Sequence, residues 1–159
     1  MKQKQGTQEK ICTFYTGDYH FEMISLPYIH QKIEEEKEIV ILTEKNLETS
    51  MKDFLERTNL KETKKEKILN LNWSNKTEEK IEKIRNQVKD QKPLTIFIKG
   101  KEPYIRKTNQ EIIKQIPKDN EIKIIDCYEM EEVGEKMDEI MEQYDKILKT
   151  AGEKEIEKI

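Results

Sequence analysis

Cysteine, histidine, glycine and long apolar runs are all scarce in this chain of 159 residues, and each scarcity removes a class of function. The two cysteines, Cys12 and Cys127, lie far apart inside apolar runs and outside any C-x-x-C pair. A disulfide framework or a zinc site is therefore not expected, and both read as buried free thiols. The two histidines, His20 and His30, have no H-E-x-x-H context, so a metal centre would need carboxylates recruited from elsewhere. No apolar run approaches the roughly 20 residues of a membrane span, and the first ten residues are polar where a signal peptide needs an apolar stretch. A cytoplasmic protein without membrane attachment is the expectation.

Glycine is absent where phosphate chemistry needs it most. The turn after the first strand, Tyr15-Thr16-Gly17-Asp18-Tyr19-His20, holds one glycine and no G-K-[ST], so it lacks both the cradle and the lysine of a phosphate loop. Gly100-Lys101 imitates the end of such a loop, but Glu102-Pro103 follows where Ser or Thr should hold Mg²⁺. An ordinary strand exit explains it better.

Charge is abundant instead. Asp, Glu, Lys and Arg make up 40% of the residues, against a usual value of about 25%. The two signs nearly cancel, to a net −3, which argues against disorder driven by self-repulsion and against constitutive binding of nucleic acid. Acid runs such as Glu34-Glu35-Glu36 read as solvated helix faces, because a catalytic carboxylate pair needs one member in an apolar pocket.

Hydrophobic periodicity gives the architecture. Ile11–Tyr15, Glu38–Thr43, Ile68–Trp73, Leu94–Ile98 and Ile122–Tyr128 read as five short strands. Between them run helical stripes: Phe21/Ile24/Tyr28 behind a cap at Asp18 and interrupted at Pro27, Leu47/Met51/Leu55 behind Asn46, Ile81/Ile84/Val88, and Ile105/Ile112/Ile113/Ile116 after Pro103. A last helix is expected from Val133 to Leu148 with a core face of Met137, Ile140, Met141 and Tyr144, stopped at Gly152. Alternating strands and helices predict a three-layer α/β/α domain over residues 10–152 with a mostly parallel five-stranded sheet, a disordered leader over 1–9 and a frayed tail over 153–159. Trp73 reads equally as core or as the wall of a pocket.

In such a sheet a ligand binds at the carboxyl ends of the strands. That rule selects Tyr15, Thr16, Gly17, Asp18 and His20 after the first strand, Thr43 and Glu44 after the second, Lys99, Gly100 and Lys101 after the fourth, and Glu129 after the fifth. His20, beside Asp18, reads either as a ligand contact or proton-linked switch, or as an exposed first-turn residue.

The segments Ile11-Cys12-Thr13-Phe14-Tyr15, Leu26-Pro27-Tyr28-Ile29, Glu38-Ile39-Val40-Ile41-Leu42-Thr43 and Asp126-Cys127-Tyr128-Glu129-Met130 resemble, in this order, the MEDS domain, a sensory module related to the RecA/KaiC-like ATPase fold. The resemblance implies a RecA-like sheet that has lost its phosphate loop and senses a small molecule, or a signalling or transcription protein. One departure stands out: the family begins its first strand with histidine, and Lys10 occupies that place. The leading expectation is a non-catalytic ligand-sensing or regulatory domain that uses Tyr15, Asp18, His20, Glu44 and Glu129, needs no cofactor or metal, touches no nucleic acid directly, and acts through a separate protein or as a homodimer. Two alternatives stay open. In one, Asp18, Glu44 or Glu129 holds Mg²⁺ and Lys99 or Lys101 neutralises a nucleotide's phosphate; in the other, the chain is a subunit or adaptor without a small-molecule ligand.

Overall fold

β-branched and aromatic residues extend the chain ahead of Thr16 into β1 (Thr7–Tyr15), and Gly17, at φ 77°, turns it into α1 (Gly17–Glu34). The computed structural model describes residues 7–117 and 120–156. The order continues with β2 (Glu38–Thr43), α2 (Glu48–Glu56), α3 (Glu62–Leu69), α4 (Thr77–Lys89), β3 (Leu94–Lys99), α5 (Glu102–Gln115) and β4 (Glu121–Glu129). Then come α6 (Met130–Val133), a 3-10 turn, α7 (Met137–Met141), β5 (Lys146–Lys149) and β6 (Gly152–Glu155).

The fold is α/β, with one six-stranded sheet in the order β2-β3-β4-β1-β5-β6. Every neighbouring pair is parallel except β5–β6, which form an antiparallel hairpin. Register sets Thr43 beside Lys99, Lys99 beside Cys127, and Tyr15 beside Glu129. β1 and β4 therefore end together, two residues beyond the matched ends of β2 and β3.

Side chains alternate across the sheet and build a core on each face. Ile11, Tyr15, Ile41, Phe97 and Ile125 join Phe21, Ile29, Met51, Leu55 and Ile68 from α1, α2 and α3. Cys12, Phe14, Leu42, Ile98 and Ile124 join Ile84, Val88, Ile105 and Ile112 from α4 and α5, with Val133 and Ile140 beyond β4. Each fully buried large apolar side chain contributes about 1.5–3 kcal/mol. Both thiols are buried and free, and burial pushes Cys12 up to about 12, so it stays protonated.

The second core also encloses a carboxylate. Asp126, fully buried, accepts from Asn109 Nδ2 at 2.9 Å and from the Tyr144 hydroxyl at 2.5 Å, and its Oδ2 lies 3.0 Å from Lys10 Nζ. Lys10 also donates to Asn109 Oδ1 at 2.6 Å, and the Tyr128 and Tyr144 hydroxyls meet at 2.8 Å. Lys10 is thus the counter-ion of a buried acid.

Several sequence expectations are corrected. Ile68–Trp73 is not a strand: Ile68 is buried in the last turn of α3, and Trp73 buries its ring while donating Nε1–H to Ile68 O at 2.8 Å. The segment caps the outer edge of β2 instead, where Lys80 Nζ binds Ile41 O at 2.6 Å, Asn72 O at 2.7 Å and Ser74 O, and Thr43 Oγ1 meets Ser74 O at 3.5 Å. The continuous last helix is broken at Gly134, whose φ of 51° ends α6. Its far half becomes β5, because the open edge of β1 offers backbone partners to Lys146 and Ile147. Six strands replace the expected five.

The domain limits move outward for the same reason. β1 starts at Thr7 rather than Lys10, and Glu153 to Glu155 lie in β6 rather than a frayed tail. Residues 1–6 and 157–159 lie outside the described residues. Asp18 does not cap α1; the cap position is Thr16, without a side-chain bond, and α1 runs on through Pro27. Leu47 rather than Asn46 holds the cap position of α2, although Asn46 Oδ1 accepts Glu48 N–H at 2.7 Å one residue before it. Ile113 is exposed rather than core.

Candidate functional site

A cleft of about 550 Å³ opens at the carboxyl ends of the parallel strands. Tyr15 of β1, Thr43 of β2, Lys99 of β3 and Glu129 of β4 form its floor, and α2 supplies one wall through Thr49, Ser50 and Asp53. The connection β1→β2 leaves β1 toward one side of the sheet while β4→β5 crosses toward the other, so the cleft sits where the strand order reverses. Of the sequence-selected residues, Tyr15, Asp18, Thr43, Glu44, Lys99, Gly100, Lys101 and Glu129 line this cleft. Thr16, Gly17 and His20 do not.

His20 is used locally: its Nδ1 accepts Thr16 N–H at 2.8 Å across the first turn of α1. Thr16 Oγ1 turns to Met130 Sδ at 3.4 Å. Gly17 contributes its amide rather than a surface, and the bond it makes is part of a wider pattern.

Backbone amides at helix starts are natural anion sites. In this fold three of those facing the strand ends are bonded by the chain's own carboxylates. Gly17 N–H, opening α1, donates to Glu129 Oε2 at 3.3 Å. Lys101 N–H, at the cap of α5, donates to Glu44 Oε1 at 2.8 Å. Glu102 N–H donates to Glu132 Oε1 at 3.2 Å. Gly100 makes the second contact feasible, since a Cβ there would stand 2.6 Å from Tyr104 Cδ2 and 2.9 Å from Glu44 Oε1.

Lysine 99 forms the centre of the floor. Its side chain is largely buried, its ammonium lies 3.3 Å from Asp18 Oδ1, and it sits over the rings of Tyr15 at 4.9 Å and Phe21 at 5.1 Å. Such a cation is compensated on every side, by one carboxylate and two aromatic faces. Tyr15 is 4% exposed, and its hydroxyl makes no hydrogen bond to another described residue. Burial, then Cys127, Glu129, Asp18 and Glu132, push its phenol up, so the hydroxyl stays neutral.

One turn beyond Asp18, Glu22 lies in a neighbouring hollow with Asp53 and Arg57. Burial, then the Asp18 carboxylate, push it up to about 7, against the pull of Arg57 and Lys99. Asp53 lines both spaces.

Glu132, Asp53, Ser50, Thr49, Lys45 and Asn46 are cleft residues that the strand-end rule does not select. A signal exists for three: Thr49, Ser50 and Asp53 lie on α2 away from its buried Met51 and Leu55. Among the described residues no three His, Cys, Asp or Glu side chains are grouped to hold a metal ion, and no helix is long and apolar enough to cross a membrane. No family model matches the chain, and neither a curated protein nor a solved structure matches it.

Proposed function

We propose that this chain is a non-catalytic ligand-sensing domain that binds a small molecule in the strand-end cleft and passes its state to a signalling or transcription protein. The observation that carries this reading is the filling of the loop amides by Glu129, Glu44 and Glu132. A nucleotide would have to displace three carboxylates from the donors that a phosphate needs. A cleft of about 550 Å³ nevertheless stays open beside them, within the range of small-molecule sites.

The MEDS-like, degenerate RecA-like reading is supported by the parallel order β5-β1-β4-β3-β2, in which the first strand is central, by helices on both faces, and by the glycine-poor turn at Gly17. Lys10, where that family has histidine, serves the buried Asp126 on the side of the sheet away from α1. The place of that residue is structural here.

A thermal-shift panel tests the reading. Nucleotides, with and without Mg²⁺, should leave the melting temperature unchanged, whereas a cognate small molecule at a hundred times its Kd adds about 2.7 kcal/mol. A saturable shift by a nucleotide that requires Mg²⁺ overturns it in favour of a nucleotide-binding protein.

A further inference from the structure

The ligand class can be narrowed from the charges that remain available once the internal bonds of the cleft are counted. Five carboxylates line it against three lysines. Lys99 is already matched by Asp18 and by two ring faces. Glu44, Glu129 and Glu132 each hold a backbone amide through one oxygen, and the second oxygen of each makes no other hydrogen bond among the described residues. Asp53 forms no ion pair among the described residues and stands on the α2 wall. The acceptors outnumber the free cations.

Tyr15 supplies an independent observation. The residue is 4% exposed and lines the floor of the cleft, and its hydroxyl has no hydrogen-bond partner among the described residues, which leaves that oxygen open to a ligand. A phenol oxygen beside carboxylates is an acceptor set for a donor-rich cation. A phosphate or carboxylate ligand would find the amides of Gly17, Lys101 and Glu102 taken and would face net negative charge.

We infer that the cleft binds a small molecule bearing protonated amine groups, whose N–H donors are accepted by the Tyr15 hydroxyl and by carboxylates along the lining, Glu132, Glu129 and Asp53 among them. This rests on the proposal that the cleft is the ligand site. An ammonium group has three donors and no acceptor, which suits a wall of carboxylate oxygens and one phenol. A ligand's own acid group, where present, would meet Lys45 or Lys101 at the rim.

The test is a titration of the full-length ¹⁵N-labelled protein with 1,4-diaminobutane, free lysine and methylammonium, and separately with pyrophosphate and ATP–Mg²⁺. At least one amine should perturb residues around Tyr15, Ser50 and Glu132 saturably. Glu132→Gln and Asp53→Asn, both at exposed positions, should together weaken that binding at least tenfold, and Tyr15→Phe several-fold. Cleft shifts produced by pyrophosphate or ATP–Mg²⁺ alone keep the cleft as a ligand site but overturn the amine class. Amine shifts that persist unchanged in the double variant also overturn it. Silence of the cleft toward these amines overturns the amine class. Silence toward a wider library of amino acids, sugars and nucleotides as well overturns the ligand-site reading with it.

Discussion

The carboxylate of Glu44, from the end of β2, closes on the backbone amide of Lys101 at 2.8 Å, with Gly100 between them too close for any side chain. This contact ties the exit of β2 to the exit of β3 and fills an amide at the start of α5. Gly100→Ala should displace Tyr104 and Glu44 and cost about 1–3 kcal/mol, the usual penalty of overpacking. Denaturant midpoints measure it. Combined with Glu44→Ala, the cost should be less than additive, because the two sites share a contact.

Lys10 and Asp126 give the second prediction. Removing the cation in Lys10→Met leaves a fully buried carboxylate with only neutral donors, so a loss of about 1.5–3 kcal/mol is expected. The double variant Lys10→Met/Asp126→Asn should recover part of that loss. A thermodynamic cycle from urea unfolding reads the difference, and full additivity would refute the pairing.

Stability near neutrality should depend on Glu22. Its pKa is raised from 4.5 to about 7 in the fold, so the folded state binds the extra proton. That contribution is complete below the unfolded value and declines as pH rises from 4.5 through about 7. Glu22→Gln should flatten this slope and gain about 2 kcal/mol relative to the parent above pH 7. Paired unfolding curves at pH 5 and pH 8 test the sign.

Glu153 works in the opposite direction. Burial opposes its ionisation, but hydrogen bonds from Lys123 and Tyr28 and the charges of Lys123 and Lys146 hold its carboxyl below the ordinary range. Tyr28 donates to it at 2.6 Å, and Lys123 lies 2.8 Å away. The stability it adds is present above the ordinary carboxylate pKa and is lost as pH falls through the folded value. Glu153→Gln should therefore destabilise at pH 7 and matter less in acid, and hydrogen exchange should show β6 loosening first.

The strands buried on both faces were legible where, as in β2 and β3, the chain runs nearly continuously apolar between turn residues. The strand-end rule then found eight residues of the cleft. Two segments were not legible. Val133, Met137, Ile140, Tyr144 and Leu148 keep helical spacing, yet the unpaired edge of β1 and the conformation of Gly134 favour a broken helix followed by a strand. Leu69-Asn70-Leu71-Asn72-Trp73 alternates like a strand, but Trp73 and the ammonium of Lys80 fold it into a cap over β2, a tertiary arrangement that no local pattern encodes. The filling of helix-start amides by Glu44, Glu129 and Glu132 joins residues up to 112 positions apart and depends wholly on strand order.

The central claim is that the strand ends form a small-molecule site whose phosphate-binding donors are held internally. The backbone amide resonances of Gly17, Lys101 and Glu102, followed during titration with ATP–Mg²⁺, test it most directly. They should stay in place up to millimolar nucleotide while Glu44, Glu129 and Glu132 keep their bonds. Saturable movement of all three, dependent on Mg²⁺, would contradict the account and identify a nucleotide site.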